Sequence, residues 1–127
     1  KRQTEVGSYP NVIAAFNKAK KTDGKIFVTG SGKQSRDMIH VYDVVDANIA
    51  AMESEIENGE IFNVGTGSAV TINDVAKYFN CPVEYIPARP GEAFRLCANT
   101  TKINTLLKWN SKIPFSEGIN IYLSQLN

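Results

Sequence analysis

The sequence predicts an α/β fold, a small sheet of short strands with helices packed on it. Three observations carry this reading: β-rich runs alternate with segments of helical apolar spacing, the strands are few and short, and no internal repeat is present. A chain of 127 residues is the size of one ordinary domain and can bury a core without metal or disulfide staples, so residues 1–127 are read as a single unit.

The elements follow in chain order. Pro10 before Asn-Val-Ile-Ala-Ala-Phe sets proline in the first turn of a helix with Val12, Ile13 and Phe16 apolar, running through Lys18, Lys20 and Lys21 until Thr22-Asp23-Gly24 ends it. Lys25 to Thr29 is a short strand closed by Gly30-Ser31-Gly32, and Arg36 to Val41 begins a second extended stretch. From Asp43 the spacing turns helical, with Val45, Ile49, Met52 and Ile56 at steps of four, three and four. Asp43 and Asp46 stand where an N-terminal cap and a first-turn acid belong, and Asn58-Gly59 is the stop.

Glu60 to Val64 reads as a strand leading into Gly65-Thr66-Gly67. Thr71 then caps a helix with Ile72, Val75, Ala76 and Phe79 on one face and Asp74 three residues after the cap. Val83 to Ile86 is a further strand, and Pro87-Ala88-Arg89-Pro90-Gly91-Glu92 is a loop stiffened by two prolines. Two helices finish the chain, one from about Thr101 with Ile103, Leu106 and Leu107, the other from about Ser116 with Ile119, Tyr122, Leu123 and Leu126. Trp109 and Ile113 fill the joint between them.

With 43% apolar and 21% charged residues, the composition is that of a soluble globular protein. Fourteen Lys and Arg against thirteen Asp and Glu leave a formal charge of +1, too small for the electrostatic footprint of non-specific nucleic-acid binding. Any anion must therefore be held locally. Cys81 and Cys97 lack CxxC or metal spacing, and no signal peptide or apolar span of membrane length is evident, so the expectation is a cytoplasmic protein with free thiols and no membrane partner. The opening Lys-Arg-Gln, without methionine and polar as far as Tyr9, reads as the start of a fragment.

Three motifs bear on chemistry. Gly30-Ser31-Gly32-Lys33 lacks the phosphate-loop pattern, with Phe27 and Gln34 where Gly and Ser or Thr are needed, and no GxGxxG follows any strand. Asp37, His40, Asp43 and Asp46 fall at three-residue intervals, yet across a strand-to-helix junction such residues do not converge on a metal, and His40 reads as a packed or hydrogen-bonded strand residue. Arg36 and Arg89 sit in loops with glycine or proline neighbours, where a planar guanidinium fork suits a diphosphate; pairing of Arg36 with a nearby carboxylate is the competing reading.

Several segments in this order resemble the C-terminal half of the extended short-chain dehydrogenase/reductase family, which includes NAD-dependent sugar-nucleotide epimerases, dehydratases and decarboxylases. They are Lys25-Ile-Phe-Val-Thr-Gly-Ser-Gly, the run from Gln34 to Ala47, Glu60-Ile-Phe-Asn-Val-Gly-Thr-Gly, Ala88-Arg-Pro-Gly-Glu and Leu106-Leu-Lys-Trp, while Arg2-Gln3 resembles the loop that leaves the family's sixth strand. The resemblance implies the C-terminal part of that fold, lacking most of its NAD-binding Rossmann domain. It further implies that Arg36 and Arg89 grip the substrate diphosphate and that Asn11, in the first turn of its helix, approaches it. The backbone at Phe27 and Thr29 would read the nucleotide base, Asn63 would edge the pocket, and Glu92 stands where the family has an aspartate that bonds the ribose, one methylene longer.

The family's catalytic Tyr-x-x-x-Lys pair is absent, since Tyr9, Tyr42, Tyr78, Tyr85 and Tyr122 are followed four residues later by Ile13, Asp46, Pro82, Arg89 and Leu126. No catalytic residue, metal ligand or cofactor-binding residue is therefore assigned here, and NAD or NADP is expected in a full-length parent. The expectation is a chain that binds the nucleotide diphosphate sugar of an NAD-dependent epimerase or dehydratase and, by itself, does not turn it over. The alternative is a stand-alone nucleotide-sugar-binding or oligomerisation module. Loss of the partner lobe would leave an apolar face and the Glu60 to Val64 edge uncovered, which predicts a homo-oligomer.

Overall fold

The computed structural model describes residues 11–56 and 59–126. Five helices and five short strands alternate through it, the strands forming two small sheets. Pro10, Asn58 and the Arg2-Gln3 segment lie outside the described residues.

Helix α1, Val12–Asp23, begins after Asn11 and ends at Gly24, whose φ of 67° lets its N–H reach back to the Lys20 carbonyl. Its Phe16 meets Phe79 edge to face, ring centroids 5.5 Å apart. Strand β1, Ile26–Thr29, alternates buried Ile26 and Val28 with half-buried Phe27 and Thr29. It pairs in parallel with β4, Val83–Ile86, forming the two-stranded sheet. Between them in sequence come β2, Ser35–Asp37, helix α2, Val41–Met52, strand β3, Ala69–Thr71, and helix α3, Ile72–Lys77. The second sheet has the order β3-β2-β5, with β5 spanning Arg95–Leu96, and helices α4, Thr101–Leu107, and α5, Phe115–Ser124, close the chain.

One core gathers Phe16, Ile26, Val28, Val75, Phe79 and Ile119 between α1, β1, α3 and α5. A second gathers Ala47, Ile103 and Trp109, with Phe62 and Val64 packed against it. The helix expected after Thr71 is present as α3: the Thr71 hydroxyl oxygen accepts from the Asp74 N–H at 3.1 Å and donates to the Asp74 carboxylate at 2.6 Å. Ile72, Val75 and Ala76 on it are buried, as their spacing predicts.

Elsewhere the structure departs from these expectations. The extended stretch from Arg36 stops at Asp37, and α2 starts at Val41 rather than at Asp43, because the imidazole Nδ1 of His40 accepts from the Tyr42 N–H at 3.2 Å and supplies the cap. His40 is thus a helix cap, not a strand residue. Asp43 is buried and caps nothing: its carboxylate accepts from the Lys112 and Ile113 N–H groups at 3.1 and 3.0 Å, while Asp46, beyond the first turn, accepts from Trp109 Nε1 at 3.1 Å. The helix ends at Met52, short of Ile56, and its apolar stripe faces outward, with Val45 49%, Ile49 42% and Met52 78% exposed. Residues 60–64 form no strand, because no neighbour among the described residues offers them a ladder.

Glycine at 32 is a packing requirement as well as a conformational one. Its φ is 68°, and a Cβ there would run into the Asn73 carboxamide and come within 2.9 Å of a Val28 methyl. Asn73 cannot simply swing away, since its Nδ2 donates to the Ser31 carbonyl at 3.0 Å and its Oδ1 accepts from the Tyr85 hydroxyl at 3.2 Å. Gly24 has a similar φ with nothing within 4 Å of the same position. We therefore expect Gly24→Ala to cost about 1 kcal/mol and Gly32→Ala roughly 2 to 5 kcal/mol in urea unfolding. Equal shifts for the two substitutions would show that the contact with Asn73 is immaterial.

Candidate functional site

The sheet β3-β2-β5 sets Arg36 against the loop that follows β4. Ser35 and Arg36 of β2 pair with Arg95 and Leu96 of β5, and the loop between β4 and β5 carries Arg89 and Glu92. Arg36 Nη2 meets Glu92 Oε1 at 3.2 Å, and Arg36 Nη1 donates to its own neighbour, the Ser35 carbonyl, at 2.8 Å. The Glu92 N–H in turn donates to the Arg89 carbonyl at 3.4 Å, which curls the loop so that both residues belong to one turn. Arg89 itself is exposed and, among the described residues, has no side-chain partner.

Strand β1 ends beside that loop. The Gly30 N–H donates to the Ile86 carbonyl at 2.8 Å, and the Ile26 N–H to the Pro82 carbonyl at 2.9 Å, so alternate residues of β1 direct their backbone toward β4. By the two-residue alternation of a strand, the backbone groups of Phe27 and Thr29 point to the other edge, which no described strand pairs. There the Thr29 carbonyl accepts from the buried Gln34 carboxamide at 2.8 Å. The Phe27 ring lies 5.4 Å from the Lys25 ammonium.

Asn63 and Asn11 stand elsewhere. Asn63 lies in an open depression with Asn99, Thr101 and Lys102 beside α4, and Asn11 opens α1 with its carbonyl accepting from Ala15. No hydrogen bond or ion pair among the described residues ties either to the arginines. A concavity of about 780 Å³ between the start of α2 and α5 contains none of the predicted residues and is mostly apolar.

Sequence reasoning overlooked Arg95, a third cation beside Ser35, and above all Asp37. The Asp37 carboxylate accepts from the Thr66 N–H at 2.9 Å, the Thr66 hydroxyl at 2.6 Å, the Gly67 N–H at 2.9 Å and the Ala98 N–H at 3.2 Å. Burial by itself would push this carboxyl upward, but the bonds from Thr66, Ala98 and Gly67 outweigh it and hold it below the usual carboxylate range. These partners are at least 29 residues away in sequence, so no local pattern signals them. His40 caps α2, Asp43 binds the 112–113 backbone and Asp46 binds Trp109 and the Lys112 ammonium, so the four residues at three-residue spacing do not converge on one centre. Among the described residues no group of three or more His, Cys, Asp or Glu is placed to hold a metal.

The NAD dependent epimerase/dehydratase family matches residues 2–65, half of the sequence. The chain belongs to that family. It is 33% identical over 104 residues to UDP-glucose 4-epimerase 3 of Oryza sativa subsp. japonica, which covers 74% of this chain and 28% of that relative. It is also 41% identical over 71 residues to a UDP-N-acetyl-alpha-D-glucosaminuronate decarboxylase of Bacillus cytotoxicus, covering 56% of this chain and 22% of that protein. The crystal structure of UDP-glucose 4-epimerase from Thermotoga maritima with UDP-glucose superposes with a TM-score of 0.82 at 31% identity, over 99% of this chain and 43% of that one. The chain thus spans less than half the length of these proteins, and its fold is the corresponding part of an extended short-chain dehydrogenase/reductase.

The described residues do not fit the dinucleotide cofactor that the family's name implies. A pyrophosphate needs free backbone N–H groups with glycine room around them. The turn at Gly65-Thr66-Gly67 does present successive N–H groups to an anion, but that anion is the chain's own Asp37, and a Cβ at Gly65 would meet Ala98 at 2.5 Å. The turn at Gly32 is filled by Asn73. No hydride chemistry is therefore assigned to these residues. Among them no helix is long and apolar enough to cross a membrane.

A carboxyl that is lowered in the folded chain stabilises it above the unfolded carboxyl's titration and loses that contribution as pH falls through the folded value. We expect Asp37→Asn to cost about 2 to 4 kcal/mol at neutral pH, because one amide oxygen cannot replace a carboxylate accepting four bonds. The variant should also lose part of the wild-type acid destabilisation below the ordinary carboxylate range. Identical unfolding free energies across an acid-to-neutral series would sink this account of Asp37.

Proposed function

We propose that this chain supplies the diphosphate- and nucleoside-binding part of the sugar-nucleotide pocket in an NAD-dependent epimerase or dehydratase. Hydride and proton transfer would fall to groups outside the chain, with NAD or NADP bound there. The observation that supports this most directly is the meeting of Arg36, on β2, with the Arg89–Glu92 turn beside the unpaired edge of β1. In this reading the two guanidinium forks take the diphosphate, while the Phe27 and Thr29 backbone on the open strand edge reads the base. Glu92, which pairs with Arg36 here, would turn to the ribose, and Asn11 and Asn63 would border the sugar-nucleotide from elements apart from the arginines.

The names of the relatives add support, since UDP-sugars recur in them and the Thermotoga structure contains UDP-glucose. A charge-assisted hydrogen bond contributes roughly 1.5 to 3 kcal/mol, so Arg36→Ala or Arg89→Ala should weaken uridine diphosphate binding about tenfold to a hundredfold by calorimetric titration. Unchanged affinity in both variants would mean that the pocket is misassigned.

The outward face of α2 supports a homo-oligomer. Val41, Val45, Ile49 and Met52 follow one another at steps of four, four and three, all well exposed, and Ile61 is 82% exposed on an extended segment without a ladder. We assign this face to a second copy of the chain, because an extended segment without a ladder beside an apolar stripe offers both backbone and side-chain complements to its like. Light scattering well above micromolar concentration is expected to show a dimer or larger species. A monomeric mass there would refute the assignment.

A further inference from the structure

This inference rests on the proposal that Arg36 and Arg89 receive a diphosphate. The two cations are not equally available. Arg89 is exposed and has no side-chain partner among the described residues, whereas Arg36 already donates to the Glu92 carboxylate at 3.2 Å. A guanidinium does not lose its charge, so the only way to change its pairing is to exchange one anion for another.

We infer that Glu92 is a resident competitor for the phosphate site, a carboxylate that occupies Arg36 until a diphosphate displaces it. A phosphate arriving at Arg36 finds either a donor already taken or a negative charge beside it, and both penalise binding. The exchange favours an anion that can engage Arg89 as well, because such a ligand replaces one ion pair with contacts to two cations. The loop is built to let the carboxylate move. Gly91, next to Glu92, has a φ of 76° with nothing within 4 Å of its absent side chain, and Glu92 is joined to the loop by a single 3.4 Å bond to the Arg89 carbonyl. The longer glutamate is what reaches Arg36; an aspartate, one methylene shorter, would hold it less closely from the same backbone.

The inference is tested on the whole chain with inorganic pyrophosphate as the probe. Ion pairs of this partly exposed kind are weak, so Glu92→Gln should tighten pyrophosphate binding roughly twofold to fivefold, with Glu92→Asp between it and the parent. The gain should vanish in the Arg36→Ala background and shrink at high salt, which a merely structural role for Glu92 would not produce. Equal or weaker binding by Glu92→Gln overturns the inference, as does a gain that persists without Arg36. If Arg36→Ala weakens binding while Glu92→Gln changes nothing, the competition is wrong and the pocket stands. If Arg36→Ala has no effect, or no variant binds pyrophosphate, the pocket reading fails and this inference with it.

Discussion

The carboxylate of Asp37 is the tie on which the candidate site depends. Strands β2, β3 and β5 are only two or three residues long, too short for their ladders alone to fix a sheet. Asp37 gathers the Gly65–Gly67 turn and Ala98 onto the end of β2 through four hydrogen bonds to one ionised group. The sheet so assembled carries Arg36 and, through β5, anchors one end of the arginine loop. Successive N–H groups of a glycine turn are a common way to hold a ligand's anion. Here they hold an anion of the chain itself, and the same chemistry becomes scaffolding.

Two further aspartates orient the remaining half. Asp43 takes two backbone N–H groups at the joint after α4, and Asp46 takes the Trp109 indole and the Lys112 ammonium, whose hydrogen bond and charge hold it below the usual carboxylate range. These bonds turn the polar edge of α2 inward beside Ala47 and leave its apolar stripe outside. The result inverts the usual disposition of an amphipathic helix.

With one net positive charge, the chain has no broad field to draw an anion, so any anion would be held by single cations where they stand. Arg36 is half sheltered and paired; Arg89 is exposed on a proline-stiffened loop. The contrast separates a preformed contact from one that a ligand would complete. The Arg89 loop follows β4 beside the end of β1, whose outward edge no described strand pairs and whose Thr29 carbonyl is already taken by Gln34.

Apolar periodicity, a threonine cap and glycine stops were enough to place α1, β1, α3, β4, α4 and α5, because those signals act within a few residues of where they are written. The family resemblance was legible for the same reason, in short segments such as Phe-Asn-Val-Gly and Ala-Arg-Pro-Gly-Glu. What the sequence left open required partners distant along the chain. His40 rather than Asp43 caps α2 because both aspartates are claimed by residues more than sixty positions later. Residues 60–64 carry apolar strand formers at Ile61, Phe62 and Val64 and form no strand, since a ladder is a property of two segments and this one meets no second among the described residues. Pairing of Arg36 with Glu92 was likewise decided only when β2 and β5 came side by side, for a guanidinium fixes its charge locally but its partner through the fold.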